Sequence, residues 1–278
     1  MPFFEDPKKL ILAFQMRTGS NLLASKLLRF GLNQGLEFFQ EPIEKSLDFW
    51  CEKYGIVPNT RADYLKQLIA SASQQNVFVC KLAWNQKNAL GQFLSEGNTG
   101  GGHWTGDPGS ILERTLYKDA CWVFVSRNDK VAQAVSLWKA FKTNCWTSLD
   151  KSRSDVNLSY DFQCIFKCYS LMIAEEHLWN KWFNDRKINP LRVNYEDINT
   201  DLSDVLQKIL ANLDLDAAIQ SEGVTDEPMK LTSQTDSINT VYIDWFREDL
   251  HRHSNRIDWN SVDAPWRRQL RTIVEESR

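Results

Sequence analysis

The sequence predicts an α/β fold in which a central parallel sheet is flanked by helices on both faces and carries inserted helices. Two observations predict it. Short apolar runs at residues 10–14, 77–82, 121–125 and 191–195 have the length of strands, and the first contains no charged residue. Each run is followed by a stretch with helical spacing, and strands that alternate with helices form parallel sheets.

The helices follow the strands in order. After the first run, Leu23, Leu27 and Phe30 recur at the spacing of one helix face, and Gly31 is placed to end that helix. Further helices are predicted from about residue 86, through Val131 to Trp138, and near 202–213. Two longer helical segments, near 60–75 and 160–183, are inserted between these units.

Length and composition indicate one globular domain over residues 1–278. The chain has 278 residues, of which 42% are hydrophobic and 25% charged, and this is ordinary for a folded domain. The formal net charge of -3 argues against a nucleic-acid partner. An anionic ligand would therefore need cations concentrated at its site.

Nothing in the sequence predicts a membrane span, a disulfide framework or a metal site. No stretch approaches the roughly 20 apolar residues that span a bilayer. Residues 1–9 carry acids and prolines where a signal peptide is apolar, so we expect a cytoplasmic protein. The six cysteines form no Cys-x-x-Cys pair, and reduced thiols are favoured over disulfides or metal ligands. His251 and His253 lack a third ligand at helical spacing, which favours a solvated tail over zinc.

A glycine-rich stretch at about residues 97–110 breaks the alternation of strands and helices. Residues 97–109 contain half of the twelve glycines, so we predict a mobile loop. A plain surface linker and a lid over an active site are both open interpretations. His103 and Trp104 inside the stretch favour the lid slightly.

The turn after the first strand has the composition of an anion-binding loop. In open α/β folds, ligands bind at the carboxyl ends of strands, where a helix N-terminus offers free N–H groups. The candidate groups there are Arg17, Thr18, Gly19, Ser20 and Asn21. Glycine permits close approach of the backbone, the hydroxyls donate hydrogen bonds, and arginine adds a planar cation. A polar turn that merely caps a helix is the alternative.

The same turn lacks the residues that an ATP- or GTP-hydrolysing loop requires. No lysine follows Gly19, and no acidic strand end supplies a magnesium ligand. A phosphate cradle of this kind suits a nucleotide whose chemistry needs no metal. Transfer of the sulfuryl group of 3′-phosphoadenosine 5′-phosphosulfate (PAPS) is such a reaction.

A second anion site is predicted after the third strand. Arg127 stands at the strand end, and Ser136 follows about two and a half helical turns later. PAPS carries a ribose 3′-phosphate that ATP lacks, so an enzyme that uses PAPS needs a second anion site. An arginine together with a hydroxyl would bind that phosphate. The alternatives are an ion pair of Arg127 with Asp129 and a solvated position for Ser136.

Several ordered segments together resemble one known family, the bacterial trehalose 2-sulfotransferase-like family of PAPS-dependent sulfotransferases. The likeness runs from about residue 10 to 250. It is carried by residues 17–23, 81–86 and 127–140, by Glu37 to Gln40, and by the tryptophans of residues 179–183. Agreement of several motifs in order is more specific than any one of them.

The resemblance implies a P-loop-like sheet and a role for each matched residue. Arg17 to Asn21 would hold the 5′-phosphosulfate, and Arg127 with Ser136 the 3′-phosphate. Glu37 would be the general base, with Glu41 as its nearby rival. Phe38 and Phe39 would raise the pKa of Glu37 by desolvation, whereas nearby cations would lower it. The candidate substrate-binding side chains are Gln15, Phe39, Lys81 and Trp84.

Departures from the family pattern concentrate on the acceptor side. Met16 stands where the family has a glutamine that touches the sugar, with Gln15 one place earlier. Residues 33–36 lack the family's Gly-Glu-Pro run. In the tail, Gln234, Asp236 and Asn239 fit the pattern, but Ser233 replaces a common arginine, for which Lys230 would compensate. These differences weigh against trehalose as the acceptor.

The sequence therefore predicts a PAPS-dependent sulfotransferase that acts on a hydroxyl of a carbohydrate-like or other small acceptor, without a metal. The resemblance also implies a homodimer. Two other functions remain open at this point: a P-loop kinase that uses ATP, and a non-catalytic protein that kept the nucleotide cradle.

Overall fold

The four predicted strands are present in the computed structural model, which describes residues 6–96, 111–147, 150, 158–215 and 237–253. The strands are β1 (Lys8–Phe14), β2 (Val77–Ala83), β3 (Ala120–Ser126) and β4 (Leu191–Asn194). The prediction of strands from apolar runs is confirmed. The last strand ends one residue early, because Tyr195 begins a helix.

The predicted helices are also present, and three further helices were not predicted. In chain order the helices are α1 (Ser20–Leu27), α2 (Ile43–Tyr54), α3 (Arg61–Ala72), α4 (Trp84–Glu96), α5 (Lys130–Thr143), α6 (Phe162–Asp185), α7 (Tyr195–Thr200), α8 (Leu202–Asn212) and α9 (Ser237–His253). A 3-10 turn, Leu28–Phe30, follows α1, and Gly31 ends it in the left-handed conformation. The helices missed from the sequence are α2, α7 and α9, and a π-helical turn at Glu113–Tyr117 was missed as well.

The chain divides into two compact units. The first comprises Met1–Phe14, Gly19–Ser126 and Arg186–Met229, and the second comprises Gln15–Thr18, Arg127–Asp185 and Lys230–Arg278. The turn after β1 therefore belongs to the second unit, although both of its chain neighbours belong to the first. The single-domain organisation stays a prediction.

The first unit is built on a parallel sheet with the strand order β2-β1-β3-β4. Leu12 of β1 lies beside Lys81 of β2 on one side and beside Val123 of β3 on the other. Because parallel strands need crossover connections, helices cover both faces of such a sheet. The α/β fold class is confirmed.

Alternate residues of the strands fill two apolar layers. Leu10 and Leu12 lie in a core with Leu23 of α1 and Ile209 of α8. On the opposite face, the ring of Phe78 stacks on Phe38 with centroids 5.2 Å apart. The residues of β2 are all buried, which is why its run reads as continuously apolar rather than alternating.

The second unit is helical. Helix α5 packs against α6, and α9 packs mainly on α5. Their core contains the fully buried side chains of Trp138, Met172 and Phe246. Glu175 of α6 is also buried, and burial raises the pKa of its carboxyl to about 8.

The remaining sequence predictions concern the cysteines, membrane spans, the glycine-rich stretch and the tail. All six cysteines are free thiols. No helix within the described residues is long and apolar enough to cross a membrane. The predicted loop at 97–110 and the tail residues Lys230, Ser233, Gln234 and Asp236 lie outside the described residues. Asn239 is buried at the start of α9.

Two glycines allow a matched test of the turn after β1. Gly19 and Gly55 both adopt left-handed conformations, with φ of 75° and 63°. An added Cβ would lie 2.9 Å from Cδ2 of Tyr195 at Gly19, but would meet nothing within 4 Å at Gly55. We expect Gly55→Ala to lower the free energy of unfolding by about 1–2 kcal/mol, the cost of a left-handed residue with a Cβ.

Gly19→Ala should cost at least about 1 kcal/mol more, because the Tyr195 ring must also move. Urea unfolding of both variants would measure the difference. Equal losses in the two variants would show that the ring is not in contact with this position.

Candidate functional site

In the second unit, side chains of α5 and a main-chain carbonyl of α6 hold the turn at residues 15–18. The Gln15 amide donates to the carbonyl of Met172 at 2.5 Å, and its oxygen accepts from Lys130 at 3.1 Å. The amide of Gln133 donates to the carbonyl of Met16 at 2.7 Å. Hydrogen bonds to the helices therefore hold the turn in place, in addition to the bonds within the turn.

Arg17 and Ser136, which were predicted to bind one nucleotide, are in direct contact. Arg17 Nε donates to Ser136 Oγ at 2.9 Å, and Arg17 Nη1 donates to the carbonyl of Trp146. Because the hydroxyl of Ser136 accepts from the guanidinium, its own hydrogen is left to donate to an anion. An anion at this point would meet both a cation and a hydroxyl donor.

The conformation of Arg17 is unusual. Its φ is 64°, in the left-handed region that residues with a Cβ rarely adopt. Such strained residues concentrate at functional sites, where the surrounding contacts hold them. The bonds to Ser136 and Trp146 supply that restraint here.

Trp146 was missed from the sequence. Its carbonyl binds Arg17, and its backbone N–H donates to Asp150 Oδ2 at 2.7 Å. Thr147 N–H donates to the same oxygen at 2.5 Å. The hydrogen bond from Thr147 is the main cause that lowers the pKa of the Asp150 carboxyl. No sequence signal pairs Trp146 with Arg17, since 129 positions separate them.

In the first unit, the start of α1 has the form of an anion-binding helix end. Gly19 is its N-cap and offers no side chain to the helix. The first backbone bond runs from Leu23 N–H to the Gly19 carbonyl at 3.0 Å. The earlier N–H groups of Ser20 and Asn21 therefore point out of the helix end, as in phosphate-binding helices.

Glu37 and Lys81 form a shielded ion pair. Lys81 Nζ lies 2.6 Å from Glu37 Oε1, and the side chains are 4% and 23% exposed. The ammonium also donates to Asn21 Oδ1 and lies 4.4 Å from the centre of the Phe14 ring. Three predicted site residues, Asn21, Glu37 and Lys81, are thus brought together.

Two opposing effects set the pKa of Glu37. Burial raises the pKa of its carboxyl, as expected beside Phe38 and Phe39. The Lys81 ammonium and the hydrogen bonds from Lys81, Gln86 and Gln40 lower it more, so the net pKa lies below that of an ordinary glutamate. Glu37 is therefore ionised at neutral pH and able to accept a proton.

Gln86 is a second residue that sequence reasoning missed. Its amide donates to Glu37 Oε2 at 2.7 Å, and its oxygen accepts from Ala83 N–H at 3.0 Å. Gln86 thus joins the start of α4 to Glu37. A glutamine in the first turn of a helix is a capping signal, but the capping pattern does not reveal its other partner.

A pocket of about 420 Å³ opens beside Glu37 in the same unit. It runs along α2, and its lining includes Leu36, Glu37, Gln40, Lys45, Phe49 and Trp50. A hydroxyl compound in this pocket could therefore reach a carboxylate.

The remaining predicted residues are placed as follows. Trp84 opens α4 half-buried, with the Lys87 ammonium 4.2 Å from its ring centre, and Arg127 is half-buried at the end of β3. Gln15 and Phe39 are fully buried, and both polar groups of Gln15 are occupied. The burial of Gln15 and Phe39 does not support their predicted contact with the substrate.

Thr18 is also buried. Its hydroxyl donates to the carbonyl of Gln15 at 2.7 Å and thereby closes the turn, and its predicted contact with the donor stays a prediction. Across the described ranges, no three His, Cys, Asp or Glu side chains are grouped as a metal site requires.

The sequence pattern of the Stf0 sulphotransferase family matches residues 9–249. The chain therefore belongs to the Stf0 sulfotransferase family, and the protein is a sulfotransferase.

Named relatives agree with this family. The chain is 26% identical over 268 residues to the trehalose 2-sulfotransferase of Mycolicibacterium smegmatis, covering 87% of this chain and 95% of that protein. It is 25% identical over 174 residues to the trehalose 2-sulfotransferase of Mycobacterium tuberculosis, covering 62% of this chain and 61% of that protein.

A solved structure that resembles the chain is the sulfotransferase domain of the Synechococcus PCC 7002 olefin synthase. The TM-score is 0.40 at 15% identity, with 88% of this chain and 90% of that domain covered.

The ion pair leads to a test of the electrostatics at Glu37. In Lys81→Met the attraction and hydrogen bond from the ammonium are lost while burial remains, so the pKa of Glu37 should rise relative to the wild-type protein. Carbon NMR of protein labelled at the glutamate carboxyl groups would follow this titration.

Lys66→Met provides the control, because Lys66 is an exposed lysine of α3. It should leave the titration of Glu37 unchanged. If Lys81→Met also left it unchanged, the ion pair would not control the charge of Glu37.

Proposed function

We propose that this sulfotransferase moves the sulfuryl group of PAPS to a hydroxyl of a small acceptor, with Glu37 as the general base. The observation that carries the proposal is the ionised Glu37 carboxylate, held by Lys81 and Gln86 at the side of an open pocket. A carboxylate in this state can take the proton of a hydroxyl that attacks sulfur.

In the proposed step, the acceptor oxygen forms a bond to sulfur while the bond between sulfur and the 5′-phosphate oxygen breaks. The acceptor proton passes to Glu37, and 3′-phosphoadenosine 5′-phosphate leaves. No covalent enzyme intermediate is formed. The negative charge that develops on the leaving phosphate is stabilised by Arg17 and by the N–H groups that open α1.

Donor binding is assigned to two groups of residues. Arg17 with Gly19, Ser20 and Asn21 binds the 5′-phosphosulfate. Arg127 and Ser136 bind the 3′-phosphate. The contact between Arg17 and Ser136 supports a single donor molecule that reaches both groups, because it holds the two side chains 2.9 Å apart.

Family membership also bears on the alternatives. It favours sulfuryl transfer over the P-loop kinase and over the non-catalytic nucleotide-binding protein. A sugar hydroxyl is the expected acceptor because both named relatives act on trehalose by their names. The homodimer and the cytoplasmic location remain parts of this proposal.

The general base can be tested with two neighbouring carboxylates. Glu37→Gln should lower kcat by about 10²–10⁴-fold, the usual contribution of a general base. Glutamine still offers Lys81 a hydrogen-bond acceptor but no longer neutralises it, so we expect a folded but less stable variant, which circular dichroism would verify. Affinity for 3′-phosphoadenosine 5′-phosphate, measured by calorimetry, should stay within a few-fold of wild type.

The control is Glu41→Gln, which changes the neighbouring exposed carboxylate. It should keep most of the wild-type kcat. If Glu41→Gln lost the activity and Glu37→Gln kept it, Glu41 would be the base.

The 3′-phosphate site can be tested with two nucleotides that differ by that group. Arg127→Ala should weaken binding of 3′-phosphoadenosine 5′-phosphate by about tenfold or more, since a charge-assisted hydrogen bond contributes on the order of 1.5–3 kcal/mol. Binding of adenosine 5′-phosphate should change much less.

Arg252→Ala removes an exposed arginine of α9 that pairs with Glu248, and should change neither affinity. Equal losses for both nucleotides in Arg127→Ala would show that Arg127 does not recognise the 3′-phosphate.

A further inference from the structure

The pocket beside Glu37 has a polar end that is largely occupied. Glu37 Oε1 is bound by Lys81, and Oε2 is bound by Gln86 and by Gln40 at 3.4 Å. The hydroxyl of Ser46, another lining residue, donates to the carbonyl of Phe38 at 2.9 Å. Besides these bonded groups, the polar lining consists of the exposed side chains of Glu41 and Lys45.

The lining of the pocket also includes two aromatic residues, Phe49 and Trp50, which pack against other rings. Phe49 is 55% exposed, whereas Trp50 beneath it is only 7% exposed. Their rings meet edge to face with centroids 4.7 Å apart. Trp50 in turn contacts Phe38 at 4.8 Å and stacks on Tyr54 at 5.8 Å. The Phe49 ring is therefore the outer member of a packed aromatic cluster.

An exposed ring in this position favours a particular kind of ligand. Apolar surface in contact with water is unfavourable, and a ligand that covers it gains affinity in proportion to the area. A single exposed phenylalanine needs no explanation, but this one faces the same pocket as the candidate base. A molecule whose hydroxyl reaches Glu37 from this pocket has Phe49 as a neighbour.

We propose that the pocket along α2 binds the acceptor, and that the acceptor is an amphiphile whose hydrocarbon group lies against Phe49 while its hydroxyl reaches Glu37. This inference rests on the proposed function. It excludes an unsubstituted disaccharide as the acceptor, because such a sugar has no hydrocarbon group. Phe49 is then a specificity-determining residue, and Glu37 carries the chemistry.

The test uses two acceptors with the same sugar and different apolar parts. Methyl and hexyl β-D-glucoside present identical hydroxyls, so a difference between them reports on the hydrocarbon chain. In the wild-type protein, KM for the hexyl compound should be lower by about tenfold or more, since each buried methylene contributes on the order of 0.8 kcal/mol and the chain is partly covered.

The variant Phe49→Ala should remove most of that difference by raising KM for the hexyl compound alone. Val57→Ala is the control, because Val57 is 80% exposed and is not among the lining residues of the pocket. Equal KM values for the two glucosides in the wild-type protein, or an unchanged ratio in Phe49→Ala, would overturn the inference.

Direct binding separates this inference from the proposed reaction. Calorimetric titration of each glucoside into protein saturated with 3′-phosphoadenosine 5′-phosphate needs no turnover. Phe49-dependent binding of the hexyl compound without any sulfuryl transfer would support the pocket and refute the reaction. Transfer to both glucosides at the same KM would support the reaction and refute the pocket. Absence of both binding and transfer would also refute the inference.

Discussion

A buried ammonium group determines the arrangement of the first unit. Lys81 lies within β2 with 4% of its side chain exposed, and a cation so shielded from water must be neutralised and hydrogen-bonded. Glu37 and Asn21 meet this need, together with the ring of Phe14. The Lys81 ammonium thereby joins four parts of the unit through its contacts: the ends of β1 and β2, the start of α1 and the segment before α2. The partner that neutralises it is the candidate base, so a requirement of folding also keeps that base ionised.

Much of the fold follows from local pattern. The run at 10–14 is apolar throughout because both of its faces are covered, and its strand begins only two residues earlier, at Lys8. Helix α2 was missed although Ile43, Leu47 and Trp50 have helical spacing and are its buried residues. Charged and exposed residues between these three obscure the helical spacing of the apolar positions. Its N-cap, Pro42, also offers no side-chain cap that would have marked the start.

The candidate site was only partly predictable, because its contacts join residues far apart in the chain. The turn residues around Gly19 predicted a helix that starts directly after the first strand, and Gly19 is the N-cap of that helix. The bond from Gln86 to Glu37 spans 49 positions, and that from Arg17 to Trp146 spans 129. Such pairs depend on how the helices pack, and packing is not encoded in any single motif. The complete burial of Gln15 and Phe39 was not foreseen, because it depends on packing against residues distant in the sequence, and their roles stay predictions.

The left-handed backbone at Arg17 has a consequence for engineering. Glycine or asparagine would adopt φ near 64° at lower cost, so selection for heat resistance alone should favour replacing this arginine. Such a replacement would relax the main chain but remove the guanidinium that binds Ser136 and Trp146. Thermal stability and the proposed activity therefore favour different residues at position 17. A variant selected for stability should retain Arg17.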